Sequence, residues 1–184
     1  MTAQVRQLLG SRVAIIQGEM ERLPFADDSF DAVVTCWTLY YMTDIDATLE
    51  EIKRTLRPGG RLVAATVAPD QQIELDKLHQ AAVEAALGPR PRVDVTERFN
   101  LETGLPYIRR HFDDVKVREW RGGALVLPDV ETLVAYWNGS GARALLGDEA
   151  ERVQPEIVRL AGEWLARDGE MRVTRHGCAF IRTR

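Results

Sequence analysis

The chain has 184 residues, 45% of them hydrophobic and 28% charged, with a formal net charge of −4 and two cysteines. Those proportions exclude collagen-like, low-complexity and disordered chains. No apolar run approaches the ~18–20 residues of a membrane span, and the acidic balance argues against a protein that coats phosphate backbones. Cys36 and Cys178 are too few for a disulfide framework. The N-terminal stretch Met1 to Gly10 is too short and mixed for a secretory signal, so a cytoplasmic protein with reduced cysteines is expected. A single domain over 1–184 is the expectation, burying roughly 70% of its unfolded surface.

In chain order, residues 2–9 read as the tail of a helix. Residues 13–16 (Val-Ala-Ile-Ile) form a β-branched run that reads as a buried strand. Residues 23–29 are a turn-rich connection. Phe30 to Cys36 is a second short buried strand. Ile45, Leu49, Ile52 and Leu56 recur on one helix face, with Asp44 as N-cap and Pro58-Gly59-Gly60 as the stop. Residues 61–67 are the third apolar strand.

A second helix carries Ile73, Leu78, Ala82, Ala85 and Leu87 and ends at Gly88-Pro89. Residues 88–92 read as a surface connection. A short helix is expected over 101–112, with Thr103 as its cap. Val115 and Val117 alternate with Lys116 and Arg118 as a half-exposed strand that Gly122-Gly123 breaks. Helices over 129–137 and 149–167 follow, separated by a flexible Asn138-Gly139-Ser140-Gly141. Residues 171–183 form a closing strand, bent at Gly177. The alternation predicts an α/β fold with a mostly parallel sheet. The last two strands are expected at the sheet edge, the final one antiparallel.

The segment 18–31 (Gly-Glu-Met-Glu-Arg-Leu-Pro-Phe-Ala-Asp-Asp-Ser-Phe-Asp) resembles the class I, Rossmann-like S-adenosylmethionine-dependent methyltransferases. The stretch 49–60 (Leu-Glu-Glu-Ile-Lys-Arg-Thr-Leu-Arg-Pro-Gly-Gly) is similar to that family's next helix and its stop. In order and at family spacing, the two form one signal. The resemblance implies S-adenosylmethionine as cofactor. It implies an adenine amino contact at Glu19, a ring contact at Met20, and a cofactor-facing strand end at Thr35, Cys36 and Trp37. Ligands of open α/β sheets do sit beyond the carboxyl ends of the strands.

The family's opening strand, Gly-x-Gly-x-Gly loop and ribose-binding acid have no counterpart in these residues. The expectation is therefore an incomplete Rossmann-like sheet that lacks its first two strands, in an N-terminally shortened methyltransferase. The strand at 13–16 must then pair directly with Phe30 to Cys36, become an exposed edge, borrow strands from another chain, or stay poorly ordered. Weak or absent cofactor binding is expected of this chain alone.

Trp37, Tyr40 and Tyr41 are the candidate catalytic or substrate-lining residues; the alternative is core packing at a strand–helix junction. Glu19 is either an adenine contact or a solvated acid. Cys36 reads as a small buried apolar residue rather than a nucleophile. His79, His111 and His176 are too scattered for a metal site. Trp120, Tyr136, Trp137 and Trp164 form either a lid, with 124–168 as a helical lid insertion, or helix packing. Arg90, Arg92, Arg182 and Arg184 read as solvated charge.

The function expected is methyl transfer to a small molecule, without nucleic acid or membrane. The alternative is a non-catalytic methyltransferase-like remnant or interaction module that pairs, as a homodimer, through its open sheet edge. A nicotinamide-dependent oxidoreductase lacks its Gly-x-Gly-x-x-Gly fingerprint here.

Overall fold

The structure is a computed structural model that describes Gly10 and residues 13–183. The helix expected over 2–9 lies outside the described residues. Strand β1 (Phe30–Cys36) pairs in parallel with β2 (Leu56–Val67), with Val33 opposite Leu62 and Thr35 opposite Ala64. Parallel neighbours need a crossover, and helix α1 (Ile45–Thr55) supplies it. Asp44 caps α1 as its sequence predicts, accepting a hydrogen bond from the Ala47 amide at 2.9 Å. Ile45, Leu49 and Ile52 are its buried stripe.

The helix stops earlier than its apolar spacing suggests. Leu56, fully buried, already opens β2, so Pro58-Gly59-Gly60 lies inside the strand. The ladder absorbs these residues as a register shift: Phe30 faces Leu56, yet Ala32 faces Arg61. Gly59 has φ +80°, in the left-handed region.

Helix α2 (Ile73–Leu87) ends at Gly88, and α3 (Gly104–His111) follows Thr103. Strand β3 (Lys116–Leu127), α4 (Val130–Asn138), α5 (Gly141–Leu146), α6 (Ala150–Asp168) and β4 (Met171–Thr183) complete the chain. The strand order is β1-β2-β4-β3 in an open, mixed sheet. Thus β4 is an interior strand rather than an edge. Its near-continuous burial over 176–180 is what an interior position requires, whereas β3 is exposed along most of its length.

Three further sequence expectations change. Residues 13–16 form no strand, because β1 has a described ladder partner, β2, on one side only. An apolar β-branched run without a ladder to join satisfies none of its backbone groups as a strand. Gly122-Gly123 does not end β3; Gly123, at φ +69°, turns the backbone and the strand continues to Leu127. Ser140 is not part of a flexible link, since it caps α5 by accepting from the Arg143 amide at 3.2 Å.

The chain divides into two compact units. The first holds the described residues up to Thr66, with Thr103–Arg118 and the chain from Ala179 onward. Its core includes Leu49, Ile52, Leu62, Ile108 and Phe180. Asp46 of α1 holds α3, accepting from Arg110 at 2.9 Å and lying 2.7 Å from His111 Nε2. The second unit holds Val67–Glu102 and Glu119–Cys178. Leu78 and Ala82 of α2, Leu133 and Trp137 of α4, and Val153 and Ile157 of α6 are buried together there.

Candidate functional site

The carboxyl end of β1 is where a ligand of this sheet would lie. Trp37 follows β1 and keeps its ladder for one more bond, donating its amide to Ala65 O at 2.9 Å. Its φ is +52°, an unfavourable conformation for a bulky residue. Its side chain is 49% exposed. Thr38 Oγ1 donates to Cys36 O at 2.8 Å and fixes the turn. In the short 3-10 turn Leu39–Tyr41, Leu39 and Tyr40 are buried and Tyr41 is 57% exposed. Trp37 and Tyr41 therefore present aromatic surface to solvent, while Tyr40 is packed inward with its ring centroid 4.6 Å from that of Tyr41.

Thr35 is buried, and its Oγ1 has no hydrogen-bond partner among the described residues. Cys36 is exposed, contrary to its reading as a small buried residue, because it points to the opposite face of a strand with one described ladder neighbour.

The acidic loop lies ahead of β1. Glu19 is exposed and Met20 half-buried. A tight turn closes on them, with the Arg22 amide donating to Glu19 O at 3.2 Å. The rest of the loop is tied to α1. Glu51 accepts the Leu23 amide at 2.8 Å, and Glu21 accepts the Asp44 amide at 2.9 Å. Arg54 donates to Leu23 O, Phe25 O, Asp27 and both oxygens of Glu51. The guanidinium beside Glu51 holds that carboxyl below the usual carboxylate range. Phe25 packs edge-on against Phe30, with centroids 4.8 Å apart. Arg57 donates to Asp28 O at 3.0 Å and to Asp31 at 2.7 Å.

Glu21, Glu51 and Arg54 are absent from the residues singled out in the sequence. The available signal was the i, i+3 spacing of Glu51 and Arg54 on one helix face.

In the second unit, both ring nitrogens of His176 face carboxylates: Nδ1 meets Asp70, and Nε2 lies 2.7 Å from Glu119. Arg121 also bonds Asp70. Burial, with a contribution from Glu119, pushes the Cys178 thiol up to about 11. Trp137 is 3% exposed and part of the core, whereas Trp120 is 43% exposed on β3. Tyr136 and Trp164 pack against that core. Arg90 and Arg92 are ion-paired rather than free in solvent, Arg90 with Glu149 and Arg92 with Asp76 and Asp94. No helix among the described residues is long and apolar enough to cross a membrane.

A methyltransferase-domain family model matches residues 1–64. The demethylmenaquinone methyltransferase of Beutenbergia cavernae is 30% identical over 138 residues, 73% of this chain and 52% of that protein. The uncharacterized protein YafE of Escherichia coli is 42% identical over 65 residues, 35% of this chain and 30% of that protein. The chain thus spans about half, or less, of the length of these curated relatives.

Among solved structures, a candidate methyltransferase of an antibiotic biosynthesis pathway in Anabaena variabilis superposes with a TM-score of 0.61 at 18% identity, covering 92% of this chain and 72% of that one. A SAM-dependent methyltransferase of Thermotoga maritima gives 0.50 at 17% identity, covering 98% and 68%. The fold is that of the class I S-adenosylmethionine-dependent methyltransferases. The matched stretch, residues 1–64, takes in the acidic loop, β1, α1 and the first part of β2, and is similar to the methyltransferase domain.

Proposed function

We propose that the chain serves S-adenosylmethionine-dependent methyl transfer to a small molecule, with Glu19, Met20, Thr35, Cys36 and Trp37 toward the cofactor and Trp37 and Tyr41 toward the acceptor. The observation that carries this reading is the placement of a pinned acidic loop ahead of a strand whose carboxyl end exposes a strained tryptophan. The residues fit one end of the cofactor. The Glu19 carboxylate is exposed and able to accept from an exocyclic amine, and the orphaned Thr35 hydroxyl is the kind of buried group that a ligand's polar atom satisfies. Because no Gly-x-Gly-x-Gly loop is present, the expected affinity of these 184 residues by themselves is weak.

Held by Glu19, Met20, Thr35, Cys36 and Trp37, the cofactor would supply an electrophilic sulfonium methyl group, whose carbon would bond to the acceptor as its bond to sulfur breaks and a neutral thioether leaves. The chain's own part is orientation and exclusion of water. Trp37 and Tyr41 offer rigid apolar surface that can hold a planar acceptor and keep water from it. Glu19 orients the purine end. The names of the demethylmenaquinone methyltransferases among the relatives support an acceptor of that small organic kind. The net charge of −4 favours it over nucleic acid, and a cytoplasmic setting keeps the exposed Cys36 reduced.

Calorimetry with S-adenosylmethionine up to millimolar concentration tests the reading. Saturable heat that weakens in Trp37→Ala is expected. No heat for the native chain, or transfer of labelled methyl that is unchanged in Trp37→Ala and Tyr41→Ala, would reject it.

Among the described residues β1 has a ladder neighbour on one side only, which favours a second reading, an interaction module that pairs through the sheet. Val34 is 63% exposed on that strand. Light scattering separates the two: a concentration-dependent dimer supports the module, and a monomer at high concentration removes it.

A further inference from the structure

We propose that Arg54 is the positioning residue of the purine-binding loop, acting through Leu23 and Phe25 to present Glu19 and Met20; this rests on the methyl-transfer reading above. The guanidinium has five N–H donors in a fixed planar fork. Here all five are used. Nε donates to Glu51 at 2.8 Å, one terminal nitrogen to Phe25 O at 2.8 Å and Asp27 at 2.7 Å, and the other to Leu23 O at 3.2 Å and Glu51 at 2.9 Å. Glu51, so oriented, accepts the Leu23 amide at 2.8 Å. Leu23 thus has both backbone polar groups fixed by one Glu–Arg pair on α1.

The connection from Glu19 to β1 has no helix or extended ladder to set its path. Its conformation is set chiefly by this pair, with Glu21 at the amino end of α1, Arg57 near β1, and two backbone bonds, Asp28 N–H to Arg54 O at 3.0 Å and Arg22 N–H to Glu19 O at 3.2 Å. Glu19 and Met20 make none of these bonds through their side chains. They sit only four and three residues before the pinned Leu23, so the clamp fixes where they stand without occupying them. Arg54 itself touches neither. A lysine has three donors at one point and cannot reach two carbonyls and two carboxylates together.

The test is a double-mutant cycle on the whole chain with S-adenosylmethionine as probe, joined to hydrogen exchange at residues 19–28. In Arg54→Lys, exchange over 19–28 should rise about tenfold or more with β1 and β2 unchanged, and the dissociation constant should rise by at least about tenfold. Glu19→Gln should weaken binding in the native background and have little further effect in Arg54→Lys, a coupling that a merely structural role does not produce. Glu51→Gln, which keeps the shape of the pair, serves if Arg54→Lys fails to fold. Native-like exchange over 19–28, or additive losses from Glu19→Gln and Arg54→Lys, would overturn the proposal while leaving the methyl-transfer reading intact. Absence of binding by the native chain would overturn both.

Discussion

Trp137 of α4 donates its indole N–H to Nδ1 of His79 on α2, at 3.1 Å. Accepting at Nδ1 requires the ring to be neutral, and burial lowers the His79 pKa below the ordinary histidine value. The unfolded chain therefore binds more protons than the folded one between the folded pKa and about 6.5. The stability contribution is complete above about pH 6.5 and is lost as pH falls through that window. Urea midpoints measured from pH 7.5 to 5 should fall more steeply in the native chain than in His79→Gln, which keeps an acceptor for Trp137 but does not titrate. Parallel curves would show that His79 is not held neutral.

Trp37 separates backbone strain from side-chain packing. Ala and Gly both remove the indole, but only Gly accepts φ +52° without penalty. Trp37→Gly should be more stable than Trp37→Ala by about 1 kcal/mol in denaturant titration. Equal stability would mean that the backbone relaxes once the ring is gone.

The two glycines inside β2 fail for different reasons. At Gly59 a Cβ meets nothing within 4 Å, so Gly59→Ala costs only the left-handed conformation, about 1 kcal/mol. At Gly60 a Cβ would stand 2.8 Å from Arg57 O, a backbone atom that cannot simply swing aside. Gly60→Ala should therefore cost more than Gly59→Ala and disturb the Phe30–Leu56 pairing, seen as faster amide exchange at the start of β1. The reverse ranking would contradict the close approach.

Thr35 carries a cost that a mutation can remove. Its hydroxyl is buried without a partner among the described residues, and such a group costs about 1–3 kcal/mol. Thr35→Val keeps the branched shape and should raise the melting temperature, by about 2–4 °C per kcal/mol for a chain of this size. A lowered melting temperature would show that the hydroxyl has a partner after all.

Much of the fold was legible where local chemistry decides. Asp44 is a helix cap in sequence and in structure, and residues 171–183 are a strand in both. The failures occur where a partner decides. Residues 13–16 have the composition of a strand but, among the described residues, no ladder to join. Gly122-Gly123 looks like a break, yet β4 alongside keeps β3 extended through it. Ser140 was masked by two neighbouring glycines that suggest flexibility more strongly than one serine suggests a cap.

The site divides in the same way. Trp37 and Tyr41 are found on exposed surface by their place after β1. The Glu51–Arg54 clamp depends on contacts to residues 27 to 31 positions earlier, which no local window contains.

Those separations also bear on the order of events during folding. A contact that spans about thirty residues forms only after its loop has closed, and α1 can wind and dock beforehand. The Leu23–Arg54 anchorage then belongs to the late side of the barrier. Weakening it should speed unfolding and leave the refolding rate nearly unchanged.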